Sequence, residues 1–303
     1  MSLSNEPAVA TAGQPPSRIR AGRNSPFWNT VRRIRRHRGA VIGFWALVLI
    51  TLAAALAPWI APYDPLGMNS AKSLTPPGAE HWFGTDQFGR DILSRVLFGA
   101  RISLTVGFAS VGIAVVVGGV LGLLAGYFEG FLGTAIMRII DAMLAFPGIL
   151  LALAIVATLG PGMVNVMIAV GVSWIPSYTR VVRASVLSAK ENVYVEAARA
   201  AGASPFRVML KHLVPNVFAP VIVLASLGLA GAIIAAAALS FLGMGAQPPT
   251  PEWGLILSQG RSFLRTAWWI STFPGLVIML TVFAINLLGD GLQDALNPRL
   301  LHQ

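Results

Sequence analysis

The sequence predicts an all-α integral membrane protein with six transmembrane helices, and three observations carry that prediction. Of 303 residues, 55% are hydrophobic and only 11% charged, whereas about a quarter of an ordinary soluble domain is charged. The mean hydropathy is +0.70, and the apolar residues fall in blocks of membrane-spanning length instead of narrow amphipathic stripes. The connections between blocks alternate between strongly basic and charge-balanced, as they do when successive loops lie on opposite sides of a bilayer. The chain has no cysteine, which excludes a disulfide framework, a thiolate nucleophile and Cys-ligated metal or iron–sulfur sites.

Met1 to Asn24 is rich in Pro, Gly, Ser and Arg without apolar period and reads as a tail. Ser25-Pro26 supplies an N-cap and first helical position, and Phe27, Val31 and Ile34 follow at helical spacing, so an interfacial helix is expected. Arg18, Arg20, Arg23, Arg32, Arg33, Arg35, Arg36 and Arg38 precede the first apolar block, with Glu6 the only acid among them. Such a cluster is held on the cytoplasmic side. It accounts for the net charge of +10 without nucleic acid as a partner.

Gly39 to Ala61 is the first span. A signal peptide is the competing reading, since Ala55-Leu56-Ala57 resembles a cleavage site, but the stretch is longer than a typical signal core and further spans follow. Pro62 to Leu97 is the longest polar connection, with four acids against three bases, and is expected outside. Span two runs from Ile102 to Gly126, and Gly118, Gly122 and Gly126 form small-xxx-small steps for close helix packing. Span three follows Arg138 and Asp141, three apart and able to pair, and passes a Phe146-Pro147 kink to Leu159. Span four, Met163 to Ile175, is cut short by Pro176, span five runs from about Phe218 to Leu242, and span six from about Trp268 to Leu288. Trp59, Trp253, Trp268 and Trp269 fall at outer ends, where interfacial aromatic belts form. The expected organisation is a cytoplasmic tail and interfacial helix (1–38), a first span with an extracytoplasmic segment (39–100), a transmembrane core (101–290) and a cytoplasmic C-terminal tail (291–303).

The basic connection Arg180 to Asn216 is long for a cytoplasmic loop and reads as two short amphipathic helices. Tyr194, Ala197, Ala198 and Ala201 occupy i, i+3, i+4 and i+7 of the first, with Glu196 and Arg199 opposite. Gly202 is placed to end it in the left-handed C-cap conformation. Ser204-Pro205 restarts a helix, Phe206, Met209, Leu210 and Leu213 repeat the apolar spacing, and Pro215 is expected to stop it. Such a pair suits docking into a cleft of a cytoplasmic partner or packing on its own spans; periodicity does not choose between them.

These residues resemble a known family. Glu196-Ala197-Ala198, then Gly202 and Leu213-Val214-Pro215, are similar to the EAA loop of the membrane subunits of binding-protein-dependent ABC importers. Phe83 to Asp91 (FGTDQFGRD), Ser94-Arg95, Gly99-Ala100-Arg101, Phe241 to Gly254 (FLGMGAQPPTPEWG) and Asn286 to Leu292 (NLLGDGL) resemble the C-type permease of dipeptide and oligopeptide importers. His212 and Val214 stand where the general family pattern has Ile and Leu, a variant similar to that of peptide permeases. The resemblance implies a type I ABC importer transmembrane domain whose loop contacts the ATPase, with Glu196, Ala197, Ala198, Gly202, Phe206, Leu213 and Pro215 as the ATPase-coupling residues. It also implies a sister permease, two ATP-binding subunits that hold ATP and Mg, an extracytoplasmic substrate-binding protein and a prokaryotic inner membrane. No cofactor or metal on this chain and no catalytic residue is expected, and substrate-binding residues are not identified.

The residues themselves fit that division of labour. Lys72, Lys190 and Lys211 follow Ala71, Ala189 and Leu210, so no G-x-x-x-x-G-K-[ST] phosphate loop exists. An intramembrane hydrolase built on Ser173 lacks a base, because His37, His81, His212 and His302 lie outside the expected spans. An ion-coupled secondary transporter would place ionisable groups near the midplane, whereas Arg138, Asp141 and Asp290 sit near inner ends. Peptide is the expected cargo, with nickel or another small solute as the alternative, since no His or carboxylate cluster in the spans names a metal.

Overall fold

The computed structural model describes residues 34–35 and 37–296. The expected tail and all but the last residues of the expected interfacial helix lie outside them, as do residues 297–303. The described chain is helical: α1 (Arg38–Ile60), α2 (Ile92–Tyr127), α3 (Phe131–Leu144), α4 (Gly148–Leu159), α5 (Met163–Lys190), α6 (Val193–Ala200), α7 (Pro205–Val208), α8 (Val214–Phe241), α9 (Trp253–Gly260) and α10 (Trp269–Leu296).

Four helical runs are long and apolar enough to cross a membrane, namely α1, α2, Pro205–Phe241 and α10, and a fifth is reached if the α3–α4 pair counts as one span. Six is reached only by adding α5, whose 28 residues are long enough but too polar to be recognised by hydropathy. Three proline-centred expectations are corrected. Phe146-Pro147 does not merely kink span three: α3 and α4 are bent by 92°, and the 12 residues of α4 rise only ~18 Å. Pro176 lies inside α5 and does not end it, as proline is tolerated where neighbouring helices close around the freed carbonyl. Pro215 does not stop the second loop helix either. Met209–Leu213 widens into a π turn, with the Val214 N–H donating to the Met209 carbonyl, and α8 continues directly from it. The wider turn accommodates a proline ring that would strike the carbonyl four residues earlier in a regular helix.

Helix α2 begins ten residues before the expected span, at the N-cap Asp91, whose carboxylate accepts from the Ser94 N–H at 2.7 Å. Its 36 residues rise ~54 Å, well beyond a hydrocarbon core of about 30 Å, so it links structure at both ends of the bundle. The glycine steps on α2 face α5: a Cβ at Gly118 would lie 2.8 Å from the Ile175 carbonyl, and one at Gly122 2.6 Å from that of Thr179. The expected seam therefore exists, but it is filled within the chain and is not open to another subunit. On the far side α1 packs on α10, with Gly43 against the Ala284 carbonyl.

The segment between α1 and α2 is built on a buried Asp86–Arg90 ion pair and a buried His81–Asp91 contact. Asp86 accepts from the Phe88 and Arg90 N–H groups at 2.8 and 3.0 Å and from Arg90 Nε at 2.6 Å, while His81 Nδ1 lies 3.0 Å from Asp91. Gly89 holds a φ of +71°, and a Cβ there would collide with the Asn69 carbonyl, which explains the glycine within FGTDQFGRD. Two of the four tryptophans expected in interfacial belts are core residues instead. Trp253 is fully buried and its indole N–H donates to the Val96 carbonyl at 2.9 Å; Trp269 is buried and donates to Thr85 at 3.0 Å. Trp59 and Trp268 remain exposed. The buried Glu252 carboxylate caps α9, accepting from the Gly254 and Leu255 N–H groups at 2.9 Å each and from Ser103 at 3.1 Å. Burial nonetheless pushes its pKa up.

Candidate coupling site

The connection between α5 and α8 forms two short helices, as the spacing predicts, at the end of the bundle where α2 finishes. Helix α6 ends in a Schellman motif: Gly202 takes φ +80°, its N–H donates to Arg199 at 2.9 Å and the Ala203 N–H to Ala198 at 3.0 Å. Ser204 then caps α7, accepting from the Arg207 N–H at 3.4 Å, with Pro205 in the first turn.

The inward face differs from the expected one. Val195 is the buried residue of α6, and with Val208, Met209, Leu213 and Val217 it packs on Val182, Val186 and Ala189 of α5 and on Leu123, Leu124, Tyr127 and Phe128 at the end of α2. Tyr194, Ala197 and Ala201, three of the four positions expected to form the apolar face, are exposed, and so are Phe206 and Leu210 of the second set. The expected packing on the spans therefore holds for one apolar face, while Tyr194, Phe206 and Leu210 leave a second apolar surface exposed. Of the expected coupling residues, Glu196, Ala197, Gly202, Phe206 and Pro215 are exposed, Ala198 is half-buried and Leu213 is buried. No atom lies within 4 Å of a Cβ built on Gly202.

Contacts the sequence did not signal hold this pair in place. Lys190 Nζ donates to the Gly126 and Tyr127 carbonyls at 3.3 and 3.2 Å and to Glu129 at 2.5 Å, closing the C-terminal end of α2. That hydrogen bond, together with the ammonium charge, holds the Glu129 carboxyl below the usual range. The Arg199 guanidinium stacks 5.1 Å above the Tyr127 ring. Asn216 Nδ2 donates to Tyr194 Oη at 2.8 Å and to the His212 carbonyl at 2.6 Å, joining α6 to the π turn. Nothing in the local sequence signals the Lys190 and Tyr127 contacts, because they join elements more than sixty residues apart. Val195 was within reach, being the one bulky aliphatic residue in the middle of α6.

The expected Arg138–Asp141 pair is not made. Asp141 instead pairs with Arg180 of α5 at 2.7 Å. Among the described residues no group of three His, Asp or Glu side chains is placed to hold a metal ion.

Comparison with known proteins agrees with this architecture. Residues 118–302 match the family described as binding-protein-dependent transport system inner membrane component, and residues 25–77 match the N-terminal TM domain of oligopeptide transport permease C. The di/tripeptide transport system permease protein DppC of Pseudomonas aeruginosa is 48% identical over 280 residues, covering 90% of this chain and 91% of that protein. The dipeptide transport system permease protein DppC of Alkalihalophilus pseudofirmus is 46% identical, covering 91% of each. The glutathione transport system permease protein GsiD of Pectobacterium atrosepticum is 46% identical, covering 90% of each. Among solved structures, an inward-facing MetNI methionine ABC transporter chain superimposes with a TM-score of 0.54 at 20% identity, covering 68% of this chain and 98% of that one. These matches make the chain a transport subunit: it belongs to the binding-protein-dependent transport system inner membrane component family, as a C-type ABC importer permease.

Proposed function

We propose that this chain is one of two membrane halves of an ATP-driven importer that moves dipeptides or short oligopeptides into the cytoplasm. Its place is the cytoplasmic (inner) membrane of a prokaryote, with both termini on the cytoplasmic side. A sister permease completes the pore, two ATP-binding subunits hold ATP and Mg, and an extracytoplasmic binding protein delivers the cargo. The observation that carries this reading is the agreement of relatives at 46 to 48% identity, across nine-tenths of the chain, on names for peptide-type cargo. The free faces of α6 and of Phe206 and Leu210 give the ATPase its docking surface, with Glu196, Ala197, Ala198, Gly202, Phe206, Leu213 and Pro215 as coupling residues that touch the partner or position those that do.

The test is uptake by the assembled complex in lipid vesicles. ATP inside the vesicles and loaded binding protein outside should drive accumulation of a labelled dipeptide. Accumulation of Ni²⁺ without any di- or oligopeptide would overturn the cargo, and accumulation driven by an ion gradient without ATP would overturn the transporter class.

A further inference from the structure

The peptide-importer reading leaves open which part of this chain meets the cargo. One seam on the bundle carries both cavity and charge. On α5, Ser173, Ser177, Arg180, Ala184 and Leu187 fall at i, i+4, i+7, i+11 and i+14, one face of the helix. Facing them on α3 are Met137, Asp141 and Leu144 at i, i+4 and i+7.

Two cavities lie along this seam. One, of about 390 Å³, is lined by Met143, Leu144, Ser173, Trp174 and Ser177, with Gly231 and Ala235 of α8 behind. The other, of about 350 Å³, is lined by Met137, Asp141, Arg180, Arg183, Ala184 and Leu187. Each falls in the ~300–1,000 Å³ range of small-ligand sites. Ser173 to Leu187 spans ~21 Å of rise, about two-thirds of a hydrocarbon core. The 92° turn from α3 into α4 lies at the rim of the first cavity, which Phe146, Gly148 and Ile149 also line. Gly231 makes room for Trp174 in the wall, since a Cβ there would be 2.6 Å from the indole.

An ion pair on a membrane helix faces protein or water, not lipid. The Arg180 and Asp141 side chains are 55% and 48% exposed on this chain, and a pair so exposed is held weakly enough to exchange partners. Arg183 Nε, beside them, has no hydrogen-bond partner. The competing groove, about 280 Å³ between α2 and α8, is lined by Val115, Val116, Val120, Leu210, Val214 and Phe218 without one charged or hydroxyl side chain. It offers nothing to a charged solute.

We infer that the α3–α5 seam is this chain's wall of the cargo path, and that Arg180 and Asp141 are the groups that receive the carboxylate and ammonium ends of a short zwitterionic peptide. A dipeptide is ~7 Å long, so both ends reach the pair as the peptide slides along Ser173, Trp174 and Ser177. Arg180 takes the carboxylate by the two-pronged hydrogen bonding a guanidinium favours, Asp141 takes the ammonium, and Arg183 stands next in line. This inference rests on the peptide reading.

The natural absence of cysteine makes the test direct. In the assembled complex in lipid vesicles, Ser177→Cys, Ala184→Cys and, as control, Val116→Cys are exposed on both sides to a charged methanethiosulfonate. The first two should react at least about tenfold faster than the control, because the reactive thiolate forms in water and not in lipid. Saturating labelled dipeptide with binding protein and ATP should slow the reaction of the Ala184→Cys variant, and adding Arg180→Gln should remove that protection, whereas a purely structural ion pair would leave it in place. Equal reactivity at positions 116 and 177, or protection that survives Arg180→Gln, overturns the inference. Dipeptide uptake by the unmodified complex is measured alongside. Uptake with position 177 unreactive sinks the seam alone, while no uptake sinks the peptide reading and the role given to the pair with it.

Discussion

Replacing Gly202 separates backbone geometry from contact at the coupling site. Its φ of +80° is left-handed, and no atom lies within 4 Å of an added Cβ, so any penalty is conformational and not steric. For Ala that penalty is about 1 kcal/mol, for Asn less, and for β-branched Val more, since φ above zero is a true outlier for that shape. A local cost of about 1.4 kcal/mol shifts an equilibrium tenfold. The docking-competent arrangement of α6 and α7 should therefore be depopulated, weakening apparent ATPase affinity about fivefold for Gly202→Ala and more for Gly202→Val. The spans should stay inserted, because Val195, Val208 and Leu213 bury their side chains independently of the Gly202 turn. ATPase retention on the purified membrane subunits, and ATP-driven uptake, should both fall in the order Asn, Ala, Val. Gly202→Val with full ATPase retention and normal uptake would refute the reasoning, as would equal losses for Asn and Val.

Other consequences follow from the same geometry. Lys190→Met strips the Gly126 and Tyr127 carbonyls of their shared donor and should cost about 1–3 kcal/mol, seen as faster amide exchange over residues 123–130 and as less uptake per ATP hydrolysed. Glu252→Ala removes the α9 cap and should lower stability by about 1–2 kcal/mol, whereas Glu252→Gln, which keeps an acceptor, should cost less. Because the folded-state pKa of Glu252 is raised, protonation favours the fold: acidification through that pKa should stabilise the native chain relative to Glu252→Gln, and a thermal melt in detergent at two pH values reads the sign. Gly122→Leu drives a side chain into the Thr179 carbonyl, 2.6 Å from the Cβ position, and should destabilise the α2–α5 contact by about 1–3 kcal/mol or more, read as a lower melting temperature.

What the sequence made legible was local. The Schellman turn at Gly202, the Ser204 cap and the first span depend on a few adjacent residues, and the structure has them where the spacing placed them. Proline was overread: at positions 176 and 215 the surroundings accommodate the ring, by burial in α5 and by a π turn before α8, and no local rule announces either. The size of the α3–α4 bend was equally hidden, since Phe146-Pro147 marks a break but not its angle. Trp253 and Trp269 looked like belt residues because position in the chain says nothing about which carbonyl an indole will find 157 or 184 residues away. Arg138 was chosen for Asp141 by helical spacing, whereas the partner came from α5. On α6 Val195 sits between Tyr194 and Glu196, so periodicity chose the Tyr194, Ala197, Ala198 and Ala201 side, whereas the structure buries the single bulkier Val195.

The central claim is that a separate ATPase docks on the free face of α6 and drives this chain, and contact at that face tests it most directly. In the assembled complex, Ala197→Cys, at an exposed position of α6, should cross-link to the ATP-binding subunit through a short thiol reagent, with a yield that changes between nucleotide-free and ATP-bound states, while Val116→Cys on α2 should not. Locking that link should halt uptake, and reducing it should restore uptake. A complex that transports normally with no link at position 197 in any nucleotide state would contradict the account.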